Sequence, residues 1–116
     1  ILILADDIYG RLVYNGNTFT PISSLSEAIR KQTIVINGVS KAYAMTGWRV
    51  GYAVGDPEII AAMSKLTGQT TSNLTAVSQY ATIEALTGPQ DSVETMRQAF
   101  EERLNTIYPL LCQVPL

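Results

Sequence analysis

Five residues have types and spacings that could do chemistry together. Lys41 follows an apolar run, Thr33-Ile34-Val35-Ile36-Asn37, and is surrounded by the small residues Gly38, Ser40 and Ala42. A lysine at the exit of a buried strand is poorly placed as a surface charge. Its amine becomes a nucleophile towards carbonyl carbon when burial or neighbouring cations favour the neutral form. Arg49 stands eight residues on. Its planar fork can hold two phosphate oxygens at once. Ser40 offers a short hydroxyl donor beside the lysine. A second pair, Asp6 and Tyr9, lies just beyond the apolar opening Ile1-Leu2-Ile3-Leu4-Ala5.

These residues need elements that bring them to one place. The patterning predicts buried strands at Ile1–Ala5, Thr33–Asn37 and Val50–Val54, and ligands of α/β sheets bind at the carboxyl ends of strands. Asn15-Gly16-Asn17 marks a turn in the first connection. Ser24 with Glu27 reads as a capping box opening a short helix over Ser24–Ile29. Asp56-Pro57-Glu58 is a strong helix start, and that helix is expected to reach about Leu66. Gly68–Asn73 is polar, a further helix is expected over Leu74–Thr87, and Gly88-Pro89 stops it. Val93, Met96, Phe100, Leu104, Ile107 and Leu111 form a one-sided stripe on a last helix, whose final turns Pro109 should kink or fray. At the strand ends, a carboxylate can keep a pyridine nitrogen protonated, and a tyrosine hydroxyl can donate to a ring phenolate oxygen. With the lysine and arginine, these are the demands of pyridoxal phosphate (PLP) chemistry.

Bulk composition narrows the alternatives. Charged residues are only 16% of the 116, below the quarter or so usual in soluble domains, while 47% are apolar. The net charge of −2, without a basic cluster, gives no attraction to nucleic acid or an anionic membrane. No apolar run is long enough to span a bilayer. The absence of histidine removes Ser-His-Asp and Cys-His triads and the common zinc sites, so no metal is expected. The single Cys112 cannot form an internal disulfide and fits a reducing, cytoplasmic setting. The abrupt apolar ends suggest an internal piece of a larger fold.

A lysine with an arginine eight residues later carries little weight alone. The full run from Gly38 to Gly51 does more. It resembles the PLP-attachment signature of the class I and II aminotransferases: small–apolar–small–Lys, with an arginine eight positions on followed by apolar–Gly. Asp6-Asp7-Ile8-Tyr9 resembles the upstream Asp-Glu-Ile-Tyr motif of the same family, with Asp7 in place of the usual glutamate. Ala44-Met45-Thr46-Gly47-Trp48-Arg49 is most similar to the branch holding prokaryotic aspartate aminotransferases. Thr70–Asn73 and Ala85–Gln90 extend the resemblance over nearly the whole chain.

The resemblance implies an α/β fold, part of the fold-type I large domain, a three-layer α/β/α arrangement with a mostly parallel sheet. Residues 1–88 would belong to that PLP-binding domain, and 89–116 to a connecting helix leading towards a small domain. It implies Lys41 as the Schiff-base lysine and catalytic residue, Asp6 on the pyridine nitrogen, Tyr9 on the ring oxygen and Arg49 on the phosphate. Ser40 is a further phosphate donor, although some relatives carry the serine two residues earlier, where this chain has Gly38. The implied reaction moves an amino group between an amino acid and a 2-oxo acid, in a homodimer whose partner would approach Gly68–Asn73. The same lysine, aspartate and arginine also serve C–S β-lyases and aminocyclopropane-carboxylate synthase-like enzymes, and a non-catalytic fragment is a third reading.

Overall fold

A computed structural model describes residues 1–115. Three strands form one sheet in the order β1-β2-β3: β1 is Ile3–Asp6, β2 is Thr33–Gly38 and β3 is Gly51–Val54. β1 and β2 run parallel, with Ile3 opposite Thr33 and Asp6 opposite Ile36. β3 returns antiparallel to β2, with Gly38 opposite Gly51 and Val35 opposite Val54. The sheet of the described residues is therefore mixed. The chain between β2 and β3 holds no helix long enough to carry a parallel crossover, so the chain turns back instead.

The first strand starts two residues later than the sequence suggests, and it is not buried here. Its side chains alternate between half-buried and exposed, with Leu4 71% exposed. Nothing among the described residues covers that face. The core lies elsewhere. Val39, Ala42 and Val50 are the best-buried apolar side chains together with Val93, and Thr33 is buried at the far end of β2. Three of these bracket Lys41, so the segment with the chemistry is also the best-packed segment. The radius of gyration is 17.4 Å, against about 13 Å for a compact domain of similar length.

Three of the helices begin where short polar side chains accept from free N–H groups. α1 spans Glu27–Gln32 and is capped by Ser26, whose Oγ accepts from Ile29 N–H at 3.2 Å. Ser24 does not cap it. Its hydroxyl donates to Pro21 O at 2.7 Å and tightens a single 3₁₀ turn over Ile22–Ser24. α2, Pro57–Thr70, starts at Asp56 as expected, with Asp56 Oδ1 accepting from Glu58 N–H. It runs past Leu66 to Thr70, where Thr67 and Thr70 return their hydroxyls to Met63 O and Leu66 O. α3, Ala76–Thr87, is capped by Thr75 and ends before Gly88. α4, Asp91–Leu111, continues through Pro109, and Cys112 N–H still donates to Tyr108 O. The last turn is bonded rather than frayed, because the proline withdraws one donor close to a helix end where few bonds remain to lose. Its apolar stripe is packed at Val93 and uncovered at Ile107 and Leu111.

Candidate active site at the sheet edge

Topology alone gathers the predicted residues. β1 and β2 are parallel, so both deliver their carboxyl ends to the same edge. β3 runs the opposite way and therefore begins at that edge. Asp6 closes β1, Lys41 lies three residues beyond β2, and Arg49 lies two residues before β3.

At the β1 end, Asp6 Oδ1 accepts from Ile8 N–H at 3.2 Å, and Asp7 N–H donates to Ile36 O at 2.9 Å. The first bond starts a turn of the kind short carboxylates favour. The turn brings Tyr9 back beneath the β2 exit, where Lys41 Nζ sits 5.5 Å from the centre of the Tyr9 ring. An ammonium over an aromatic face is attracted by the ring quadrupole. Two segments 32 residues apart thus meet at the proposed chemical centre. Lys41 is half-buried, while Asp6, Tyr9 and Arg49 are exposed.

The loop between β2 and β3 is tightly bonded to itself. Met45 N–H donates to Val39 O, Ala44 N–H to Lys41 O, and Thr46 Oγ1 to Ser40 O at 3.1 Å. Ala44 and Arg49 both take left-handed backbone angles, φ 53° and 57°. Non-glycine residues seldom sit there, and such positions persist where the surroundings over-determine them. The Arg49 side chain turns back on the loop, its Nη1 donating to Thr46 O at 2.9 Å. Most of its guanidinium donors remain for an anion. Ser78, buried on α3, pins the adjacent residue by donating to Trp48 O at 3.1 Å.

The other end of the loop is held by residues that sequence reasoning did not single out for a role. Tyr43 OH donates to Gln90 Oε1 at 3.1 Å, and Arg11 Nη1 donates to the same oxygen at 2.6 Å. The Arg11 guanidinium also lies 5.6 Å from the centre of the Tyr43 ring. Behind them is a cavity of about 230 Å³ lined by Asp7, Arg11, Asn37, Tyr43 and Tyr52, among others. Burial there pushes the Tyr52 phenol above its usual range, Tyr43 adds to this, and Arg11 opposes it. Asp7, not Asp6, faces this cavity. The two neighbouring carboxylates thus point to different sides of the sheet edge, as alternation along an extended chain requires.

A family model for aminotransferase class I and II matches residues 1–114. The chain belongs to this family. Members of the class I and II aminotransferases use PLP. Over 115 residues the chain is 78% identical to an asparagine–oxo-acid transaminase of Streptococcus mutans and 59% identical to an aspartate aminotransferase of Bacillus sp. YM-2. Each alignment takes in 99% of this chain and 29% of the relative, so the chain spans under a third of the curated relatives it matches. The crystal structure of the aspartate aminotransferase from Rhizobium meliloti superimposes with a TM-score of 0.88 at 42% identity, over 91% of this chain and 26% of that one. The fold is accordingly a portion of the fold-type I aminotransferase architecture.

The donor set fits PLP. An amine, a carboxylate, a phenol and a guanidinium with free donors stand at one edge of one sheet. They correspond in number and kind to an aldehyde, a pyridinium, a ring oxygen and a phosphate. No helix among the described residues is long and apolar enough to cross a membrane.

Proposed function

We propose that this chain is the cofactor-anchoring segment of an aminotransferase that moves an amino group between an amino acid and a 2-oxo acid. Aspartate or asparagine is the amino donor. The observation that carries the reading is the meeting of Lys41 with Tyr9 at 5.5 Å, across 32 residues of sequence, at the strand edge where Asp6 and Arg49 also stand. The donor class is supported by the names of the relatives at 78% and 59% identity.

Bound PLP supplies an electron sink for the bonds of the substrate Cα. Each residue of this chain then has a distinct task. Lys41 would be the covalent anchor for the cofactor and, with its amine free, the base that moves a proton between the substrate Cα and the C4′ carbon. Asp6 keeps a proton on the ring nitrogen by its negative charge. The Tyr9 hydroxyl donates to the ring oxygen. Arg49 binds the phosphate through its fork, with the Ser40 hydroxyl as a second donor. In this reading residues 1–88 belong to the PLP-binding domain and 89–116 form the helix leading out of it. The protein works as a cytoplasmic homodimer, with the Gly68–Asn73 stretch towards the partner. Threonine and serine can approach a neighbouring subunit there without burying an unpaired charge.

The test uses the full-length protein carrying this segment, loaded with PLP. Borohydride reduction followed by peptide mass spectrometry should place the pyridoxyl group on Lys41. With aspartate or asparagine and a 2-oxo acid, amino transfer should be stoichiometric and release no ammonia from Cα. A label on Lys31 or Lys65 instead, or ammonia-releasing elimination, would overturn the reading.

A further inference from the structure

Gln90 uses every hydrogen-bonding position of its side-chain amide. Its Oε1 accepts from Arg11 Nη1 at 2.6 Å and from Tyr43 OH at 3.1 Å. Its Nε2 donates to Ala85 O at 3.0 Å and Gly88 O at 2.7 Å. Its backbone carbonyl opens α4 by accepting from Val93 N–H and Glu94 N–H. One residue therefore joins three separate pieces of chain: the end of α3, the segment after β1, and the loop after β2.

The two side chains it draws together are spaced alike from the chemistry. Arg11 lies two residues after Tyr9, and Tyr43 lies two residues after Lys41. The bonds that Val39, Lys41, Ala44 and Met45 make among themselves fix the internal shape of the loop. They do not set its distance from the β1 segment. Strand pairing holds the two segments together up to Asp6 and Ile36, and beyond it the Arg11–Gln90–Tyr43 bridge adds a second tie, because both segments are bonded to a single oxygen atom and Arg11 also rests on the Tyr43 ring.

We infer that Gln90 is a positioning residue for the amino-transfer site: through Tyr43 and Arg11 it sets the placement of the Lys41 amine against the Tyr9 phenol. This rests on the function proposed above. It divides the glutamine amide into two halves with separable tasks. The oxygen holds the site segments, and the nitrogen holds the junction between α3 and α4.

Gln90→Glu tests that division. It retains an acceptor for Arg11 and Tyr43 and loses the donor to Ala85 O and Gly88 O. In the full-length, PLP-loaded protein, Gln90→Ala should move the pH midpoint of the cofactor's visible absorption by more than about 0.3 unit. It should also lower kcat by roughly ten- to a hundredfold, the scale of a small misplacement of reacting groups, with KM for the amino donor little changed. Gln90→Glu should lower the unfolding temperature yet keep the wild-type midpoint. Tyr43→Phe, which removes one bond and keeps the ring under Arg11, should shift the midpoint in the same direction as Gln90→Ala and by less. If Gln90→Ala and Gln90→Glu lower stability equally and neither moves the midpoint, Gln90 is structural only and the inference is overturned. An unmoved midpoint in Tyr43→Phe would overturn it as well, even if Gln90→Ala did not fold. A wild-type protein with no borohydride-sensitive band on Lys41 would overturn the inference together with the function beneath it.

Discussion

Gly38 is the position where adding a single methyl group should do most damage. It ends β2, is buried, and pairs with Gly51 of β3. A Cβ at residue 38 would stand 2.7 Å from Val50 O, 3.1 Å from Gly51 Cα and 3.2 Å from Ile8 Cδ1. The first two are backbone atoms and cannot rotate away. Relief requires β3 to part from β2 at the point where Val39 N–H donates to Val50 O. Overpacking of this kind costs about 1–3 kcal/mol, and losing that bond about 1 kcal/mol more, so Gly38→Ala should destabilise by roughly 2–4 kcal/mol. Gly47 is the control. It lies on the same loop, and a Cβ there meets nothing within 4 Å, so Gly47→Ala should stay within about 0.5 kcal/mol of wild type. Urea unfolding of the full-length protein, with cofactor retention followed in parallel, reads both variants. Gly38→Ala should lower the midpoint with an unchanged slope and release PLP more readily, because the strand exit it disturbs leads to Lys41. Equal stability of the two variants would refute the close β2–β3 approach. The same crowding bears on Ser40. A serine at position 38 would meet the same oxygen, so Gly38→Ser should be as harmful as Gly38→Ala and should not improve phosphate binding.

Asp6→Ala should cost about 3 kcal/mol of transition-state stabilisation, the range of preorganised electrostatic groups, while Asp7→Ala should be far milder. Equal losses in kcat/KM would mean that the wrong carboxylate has been assigned. Arg49→Ala should raise the PLP dissociation constant by about ten- to a hundredfold, the loss of one charged hydrogen-bonding group, and Tyr9→Phe should instead move the pH dependence of the cofactor's absorption. Normal cofactor affinity in Arg49→Ala would reject the phosphate role. Glu101 is held below the ordinary carboxyl value of 4.5, first by the Asn15 backbone N–H and then by Arg97. A depressed carboxyl contributes stability above its unfolded value and loses it as pH falls through the lower native value. Glu101→Gln should therefore lower the unfolding temperature at neutral pH, and the difference should shrink as pH falls below the ordinary carboxyl value and vanish once the native carboxyl is protonated; a difference that stays constant throughout the acid range would contradict this.

Much of this was legible in the sequence, for reasons that differ by element. β2 is found because Thr33–Ile36 is β-branched throughout, and α2 because Asp56-Pro57-Glu58 combines three independent start signals. The Lys41–Tyr9 meeting follows from parallel strands, since parallel neighbours must present their ends together. The direction of β3 was also available. The residues after β2 contain a Gly, a Trp and no helical period, which leaves no parallel crossover. Ser24 and Ser26 could not be told apart, because either hydroxyl can serve a cap and only the Pro21 carbonyl decides. Gln90 was out of reach. Its partners lie 79 and 47 residues away in sequence, and nothing in a Gly-Pro-Gln turn says which side chains will reach it.

The distribution of burial separates what this segment specifies by itself from what it does not. Leu4, Val54, Leu66, Val77 and Tyr80 each expose 60% or more of their surface. The sheet faces and outer helices therefore take little of their stability from the residues described. The loop between β2 and β3 is the opposite case. Val39 is fully buried, Ala42 and Val50 nearly so, and the loop is pinned by Ser78 near Arg49 and by Gln90 near Lys41. Binding sites work when their side chains are held by a packed and hydrogen-bonded shell. Here that shell comes from the same 116 residues as the groups it holds. Of the side chains proposed to anchor PLP, Lys41 and Arg49 are thus carried on a locally packed loop, while Asp6 and Tyr9 lie outside it. No residue of this loop is assigned to telling aspartate from asparagine. Substitutions inside the Val39–Val50 loop should accordingly alter cofactor affinity and absorption for every amino donor alike, rather than the preference among donors. A loop variant that changed the ratio of kcat/KM for aspartate and asparagine while leaving the cofactor's spectrum intact would break that separation.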